Sequence, residues 1–234
     1  MILKVENLSK SYDVQVLENL SLHLDEPTIY GLVGENGAGK TTLLKCLWGL
    51  ARFDNGAIDI LGEGNILDNP SLLRQIGGLI EMPEFYEHLS AKDNLMIHLG
   101  CMKMNDSAEE KIQEVLKQVG LGQVGNKKVK GFSLGMKQRL GIARAIIHQP
   151  KLLLLDEPLN GLSPTGILEM RELFLSLKNN HEITIIISSH NLYELKQVAD
   201  RIAVLSDGKI IKEFEAANIE KAEELEDVVM KLMS

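Results

Sequence analysis

A glycine-rich segment of the chain has the residue types and the spacing needed to bind phosphate groups. Its sequence, Gly34-Glu-Asn-Gly-Ala-Gly-Lys-Thr41, has a glycine, four residues and then Gly-Lys-Thr. Backbone N–H groups in such a loop form a concave anion site, Lys40 can bridge the terminal phosphates, and the Thr41 hydroxyl can hold Mg²⁺. We therefore predict a site for a nucleoside triphosphate rather than a simple turn before a helix. The residues expected there are Gly34, Glu35, Asn36, Gly37, Ala38, Gly39, Lys40, Thr41 and Thr42.

Two acidic residues follow an apolar run much later in the chain. The segment Lys151-Leu-Leu-Leu-Leu-Asp156 predicts a strand covered on both faces, as in the middle of a parallel sheet. Its last residue, Asp156, would reach the carboxyl edge where ligands of such sheets bind, and is expected to serve Mg²⁺. Glu157 should point elsewhere and polarise a water molecule as a general base. Taken alone, an Asp-Glu pair after a strand could equally cap a helix.

A third segment, Phe132-Ser-Leu-Gly-Met-Lys-Gln-Arg-Leu140, places a good helix N-cap, Ser133, beside the positive end of a helix. By itself this segment indicates only a capped helix.

The elements that must position these residues alternate between strand and helix. We predict one domain whose α/β core comprises residues 1–81 and 150–214, with helical segments in 82–149 and a C-terminal helix over 215–234. Near the start, Val14, Val16, Leu20, Leu22 and Leu24 are expected on nearly one face of a strand, with an irregularity near Leu17. Strands are predicted at 28–33, 57–61, 76–80, 151–156, 183–188, 202–205 and 209–211, and helices at 41–50, 90–102, 107–119, 133–147 and 164–178.

Composition limits the class of protein. The chain has 234 residues, 44% hydrophobic, and a formal net charge of −8, which favours a globular protein and argues against a nucleic-acid partner. Neither a membrane span nor a signal peptide is evident, and the two cysteines, Cys46 and Cys101, suit a reducing cytosol. We therefore expect a cytoplasmic protein.

Four motifs in a fixed order make the chain resemble the ATP-binding-cassette (ABC) ATPases over nearly its whole length. They are the phosphate loop, the Ser133–Gly135 segment, Leu155-Asp-Glu-Pro158 and Ser189-His190. The resemblance implies an α/β P-loop NTPase core with an N-terminal antiparallel β subdomain and an inserted α-helical subdomain. It also implies ATP and Mg²⁺ as cofactors.

The same resemblance implies a head-to-tail pair of cassettes, which we expect to be two copies of this chain, bound to separate membrane-spanning subunits. Ser133 and Gly135 would then contact the terminal phosphate bound by the partner, and His190 would contact it from the same subunit. Tyr12 would stack on adenine, and the segment 160–164 would cross the dimer interface.

The chain departs from the family pattern in three segments: the one that contains Ser133, the one that contains Ser163, and the one that ends at Glu81. Leu134 and Met136 replace the first glycine and the glutamine of the usual Leu-Ser-Gly-Gly-Gln, and Ser163 stands where an aspartate is common. Glu81 replaces the usual glutamine, so it would add a third carboxylate to the metal site, where without metal one carboxylate should tend to take up a proton. With Mg²⁺ bound, the extra charge should strengthen coordination.

Together with the segment Phe132-Ser-Leu-Gly-Met-Lys-Gln-Arg139, the glutamate at position 81 makes the chain resemble the cassettes of bacitracin-type and lantibiotic-immunity exporters. We expect a transport ATPase, with Lys40, Glu157 and His190 catalytic and Thr41, Glu81 and Asp156 serving the metal, located at the inner face of the cell membrane. Two alternative functions are consistent with the sequence. One is a soluble cassette machine, that is, a cassette ATPase that acts on a macromolecular assembly and not on a transporter, and the other is a small-molecule kinase.

Overall fold

The computed structural model describes residues 1–218. The helix predicted for 215–234 therefore lies almost entirely outside the described residues. The part that is described differs from the prediction, because Glu215 ends a strand and Ala216–Asn218 form a 3₁₀ turn.

Nine strands and six helices make up the described part of the chain. The strands are β1 (Leu3–Ser11), β2 (Gln15–Leu24), β3 (Ile29–Val33), β4 (Asn55–Ile60), β5 (Ile76–Leu79), β6 (Leu152–Asp156), β7 (Thr184–Ser189), β8 (Arg201–Ser206) and β9 (Lys209–Glu215). The helices are α1 (Lys40–Leu47), α2 (Ala91–Cys101), α3 (Ala108–Gln118), α4 (Leu134–Ile146), α5 (Pro164–His181) and α6 (Leu192–Lys196). None of the helices within residues 1–218 combines the length and the apolarity that a membrane crossing requires.

A six-stranded sheet with the order β5-β6-β7-β3-β8-β9 forms the centre of the molecule. Its first five strands are parallel and β9 is antiparallel, joined to β8 by the predicted turn at Asp207–Gly208. Alternate residues of β6 face two different hydrophobic clusters, since Leu153 packs in one and Leu154 in the other. This double burial explains why β6 is apolar at nearly every position, and the predicted α/β fold class is confirmed.

The smaller sheet is antiparallel, with the order β2-β1-β4, and confirms the predicted N-terminal β sheet. The predicted face of β2 is wrong at its start: Val14 is 71% exposed and Leu17 is fully buried. Three irregularities in the β1–β2 pairing and a left-handed Asn19 (φ +47°) interrupt the alternation, so Leu17 and Leu20 share the buried side three residues apart.

Helices α2, α3 and α4 follow one another between β5 and β6, and their apolar residues join the cluster on one side of the large sheet. The proposal that 82–149 forms a distinct inserted unit remains a prediction.

The contact between β5 and α4 gives a prediction about stability. A Cβ on Gly77 would lie 2.0 Å from the backbone oxygen of Ala145. We expect Gly77→Ala to lower the free energy of unfolding by about 1–3 kcal/mol, because strand and helix backbones must separate. Urea unfolding followed by circular dichroism measures this change. Gly131→Ala is the matched control, since a Cβ there meets no atom within 4 Å, and an equal loss in both variants would contradict the explanation.

Candidate functional site

The glycine-rich segment connects β3 to α1 and closely approaches the end of β8. A Cβ on Gly34 would lie 2.3 Å from the backbone oxygen of Leu205, so only glycine fits there. Gly39, the N-cap of α1, has a φ of +108°, a conformation that side chains disfavour. Residues 35–37 form the exposed tip between them. The loop leads directly into the positive end of α1, the arrangement that proteins use to bind phosphate.

The ammonium group of Lys40 lies inside this loop. Its Nζ donates hydrogen bonds to the backbone oxygens of Gly34 at 2.6 Å and of Glu35 at 3.0 Å. Burial lowers the pKa of Lys40, and the neighbouring charges of Glu157 and Asp156 oppose that shift. A buried cation near two carboxylates is therefore held where terminal phosphates would meet it.

Asp156 accepts hydrogen bonds from two hydroxyl groups. Thr41 Oγ1 donates to its Oδ2 at 2.7 Å, and Ser188 Oγ donates to its Oδ1 at 2.5 Å. Parallel pairing of β6 with β7 places Asp156 directly beside Ser188. Thr41 and Asp156 thus present adjacent hydroxyl and carboxylate oxygens, the hard ligands that Mg²⁺ prefers, so these two residues fit the metal.

Glu157 follows β6 in a left-handed conformation, with a φ of +47°. Its two carboxylate oxygens each lie 3.1 Å from Nδ1 of His190, and Nδ2 of Asn160 donates to one of them at 3.3 Å. The backbone N–H of Glu157 donates to Ser188 Oγ at 2.9 Å. A left-handed backbone at a residue other than glycine, fixed by several hydrogen bonds, is typical of functional sites. At Glu157 this backbone conformation directs the carboxylate toward His190.

Glu81 forms an ion pair with a lysine that our sequence reasoning overlooked. Nζ of Lys45 lies 2.5 Å from Glu81 Oε1. The pKa of Lys45 is raised first by this hydrogen bond and then by the charges of Glu81, Tyr12 and Asp156, although partial burial opposes the shift. Within residues 1–218, no group of three or more His, Cys, Asp or Glu side chains is arranged to hold a metal. Glu81 is therefore not gathered with Asp156 and Glu157 into a preformed carboxylate site.

The segment that contains Ser133 packs against the loop after β6. Ser133 is the N-cap of α4, and its Oγ accepts a hydrogen bond from the backbone N–H of Met136 at 3.3 Å. A Cβ on Gly135 would lie 2.9 Å from the backbone oxygen of Gly161. Ser163, where an aspartate is usual, instead caps α5 by accepting from the N–H of Gly166 at 3.2 Å.

Tyr12 lies in the turn between β1 and β2 and is 58% exposed. The ammonium of Lys10 lies 4.8 Å from the centre of its ring, within cation–π range. The tyrosine thus presents an aromatic surface to solvent near the helix that carries Lys45.

Three residues of the site escaped sequence reasoning: Lys45, Ser188 and Gln138. Gln138 is buried in α4 and donates from Nε2 to the backbone oxygen of Glu157 at 3.3 Å, which connects the Ser133 helix to the end of β6. Helical spacing could have indicated Lys45, since it lies one turn after Thr41. The position of a serine at the carboxyl end of an apolar strand could have indicated Ser188.

Comparisons with known proteins agree with this geometry. The family model described as ABC transporter matches residues 17–160. The bacitracin transport ATP-binding protein BcrA of Bacillus licheniformis is 45% identical over 224 residues, covering 94% of this chain and 72% of that protein. The lantibiotic transport ATP-binding protein SrtF of Streptococcus pyogenes is 45% identical over 225 residues, covering 96% and 95% respectively.

Solved structures show the same fold. An ATP-binding subunit of an ABC transporter superimposes over 100% of both chains with a TM-score of 0.89, at 28% sequence identity. Because the family model spans more than half of the sequence and the two relatives are 45% identical along nearly all of it, this chain belongs to the ABC transporter family, as an ATP-binding subunit that hydrolyses ATP.

Proposed function

We propose that two copies of this cassette power an exporter of antimicrobial peptides or drugs, bound to separate membrane-spanning subunits at the inner face of the cell membrane. Similarity to relatives named for bacitracin and lantibiotic transport supports this choice of exporter. The arrangement that carries the chemistry is the carboxylate of Glu157, fixed by His190 beside the Thr41–Asp156 pair.

The loop residues from Gly34 to Thr42 bind the phosphates of ATP, with Lys40 at the terminal ones. Thr41 and Asp156 hold Mg²⁺, which would neutralise phosphate charge when bound, and Glu81 contributes to the same ion. Tyr12 stacks on the adenine ring. Buried hydrogen bonds from Ser188 and Thr41 keep the Asp156 carboxylate in position for this role.

Glu157 acts as the general base. Its carboxylate accepts hydrogen bonds from Asn160 and lies beside His190, so its orientation is set before water arrives. Glu157 takes the proton of the attacking water, and His190 contacts the terminal phosphate. Base catalysis of this kind contributes about 10²–10⁴ in rate.

A second cassette completes each site. Ser133 lies at the N-terminus of the 13-residue helix α4, whose positive end favours contact with an anion. Gly135 rests on the backbone of Gly161, so the Ser133 segment and the 160–164 loop can meet the partner as one surface. Cassettes of this family form dimers.

The membrane subunits have a suitable docking site in a groove of about 570 Å³ that runs between α1, β5, α2 and α4. Its apolar lining includes Trp48, Leu73 and Met102, and its cations are Arg74 and Arg144. The described residues that line it include no Asp or Glu, although the whole chain carries a net charge of −8. We assign to it a cytoplasmic helix of the membrane subunit, apolar on one face and carrying a carboxylate.

Sedimentation with membranes tests this assignment. Leu73 is 36% exposed in the groove, and Leu73→Glu places a charge among apolar residues. We expect wild-type protein to sediment with membranes only when its membrane-spanning partner subunits are co-expressed. Leu73→Glu should reduce the sedimented fraction at least about tenfold, because the new carboxylate would interrupt the apolar contact and repel the carboxylate of the docked helix.

Leu168→Glu is the matched control, since Leu168 is a 57% exposed leucine on α5. Equal sedimentation of the two variants would exclude the groove as the docking site. Wild-type protein that never reaches the membrane fraction would instead favour the soluble cassette machine.

A further inference from the structure

The ion pair between Lys45 and Glu81 joins the helix after the phosphate loop to the end of β5. Lys45 lies four residues after Thr41 on α1, hence on the same side of the helix. Its neighbours Leu44 and Cys46 are buried, which fixes the rotation of the helix about its axis. The Lys45 ammonium reaches Glu81 Oε1 at 2.5 Å.

The backbone of Glu81 is also held in an uncommon state. Its φ is +63°, in the left-handed region that residues other than glycine seldom occupy. The side chain is 62% exposed, yet it is directed to a lysine and not to open solvent. The contact with Lys45 therefore helps to select one position for a carboxylate that would otherwise be mobile.

Helix α1 contacts both carboxylates from one face. Thr41 donates to Asp156, and Lys45, one turn further along, pairs with Glu81. Asp156 already has two hydroxyl partners, whereas the Glu81 side chain is paired with Lys45. A cation that arrives beside Asp156 must therefore compete with Lys45 for Glu81.

We infer that Lys45 is a positioning residue that holds Glu81 away from the metal and must release it when magnesium-ATP binds. This inference rests on the proposed function, in which Thr41, Asp156 and Glu81 serve Mg²⁺. A neutral glutamine at position 81 would attract the lysine much less, so the competition depends on the glutamate of this chain. Lys45 then sets how much Mg²⁺ strengthens ATP binding.

The test compares ATP dissociation constants measured by calorimetry at 4 °C with Mg²⁺ and with EDTA. The ratio of the EDTA value to the Mg²⁺ value reports how strongly the metal assists binding. Lys45→Met keeps the apolar stem and removes the charge, so we expect this ratio to rise about two- to five-fold, the range typical of partly exposed ion pairs. In a Glu81→Gln background the same substitution should leave the ratio unchanged.

Two controls isolate the ion pair. Lys45→Arg keeps a cation and should preserve the wild-type ratio. Lys137→Met removes the lysine of another 2.5 Å pair, with Glu87, whose side-chain exposures of 28% and 55% resemble the 29% and 62% of Lys45 and Glu81. This variant should also preserve the ratio, and Lys45→Gln serves as a second neutral variant if Lys45→Met does not fold.

The outcomes separate this inference from the proposed function. A ratio near one in the wild-type protein would show that Mg²⁺ does not assist ATP binding and would contradict the proposed metal site. A large wild-type ratio that Lys45→Met leaves unchanged, lowers, or shifts equally in both backgrounds would leave the metal site intact and overturn the role of Lys45.

Discussion

Glu157→Gln will lower the turnover of ATP by about 10²–10⁴ while leaving ATP binding intact. Glutamine keeps the size and one oxygen of the side chain, so Asn160 retains a partner, but the amide cannot accept the proton of the attacking water. The backbone N–H of Glu157 still donates to Ser188, so the end of β6 should keep its position. Release of inorganic phosphate measures turnover, and calorimetry measures ATP binding.

The same variant should also accumulate as a closed dimer in the presence of magnesium-ATP. In the proposed mechanism, closure is stabilised by groups that contact the terminal phosphate of ATP. ADP lacks that phosphate, so ADP should leave the variant monomeric. Size-exclusion chromatography with light scattering distinguishes the two states. A variant that remains monomeric with ATP would argue against Ser133 and Gly135 of one copy completing the site of another.

The control for this prediction is Glu182→Gln. Glu182 is an exposed glutamate with a φ of +55°, close to the +47° of Glu157, but it is the C-cap residue that follows helix α5. The Glu182→Gln variant should turn over ATP at the wild-type rate. That result would show that replacing a glutamate in a left-handed conformation is not by itself enough to slow turnover. Turnover by Glu157→Gln equal to that of wild type would remove Glu157 from the role of base.

Local sequence patterns predicted the parts of the fold whose burial is uniform. Leu152–Asp156 and Thr184–Ser189 are buried at every position. Each strand contains an uninterrupted run of three or four apolar residues, which indicates a strand covered on both faces. The phosphate loop was predictable for a similar reason, because close backbone approach at Gly34 permits only glycine. The sequence indicated an irregularity in β2 near Leu17, but it did not indicate which residues face inward, because the left-handed Asn19 changes the alternation.

The sequence could indicate site residues only where they lie together in one short motif. Ser188 reaches Asp156 because β7 lies beside β6, and the order of strands in the sheet does not follow the order of the chain. The pair of Lys45 with Glu81 spans 36 positions and depends on the left-handed backbone of Glu81. The sequence predicted three carboxylates at the metal site, but it did not show that helix α1 brings the Lys45 ammonium to one of them, Glu81.

Lys40→Met should reduce ATP hydrolysis by about 10²–10³, the loss expected when a preorganised donor to developing charge is removed. ATP affinity should fall as well, and more than ADP affinity, if Lys40 binds the terminal phosphates as proposed. Equal weakening of ATP and ADP binding would place the ammonium elsewhere along the phosphate chain. Fluorescence titration with each nucleotide measures the two affinities.

The fold should tolerate this substitution, which makes the result interpretable. Lys40 is only 6% exposed, and burial lowers the pKa of its ammonium, so the loop holds a charge that would be better solvated in water. Methionine fills nearly the same volume without that cost, although the carbonyls of Gly34 and Glu35 lose a donor. The gain from removing a buried charge and the loss of two hydrogen bonds oppose each other. The thermal unfolding midpoint of Lys40→Met should therefore stay within a few degrees of the wild-type value. Burying the Lys40 ammonium at the N-terminus of a helix costs solvation free energy. Binding of a phosphate group is the best explanation for a cation in this position.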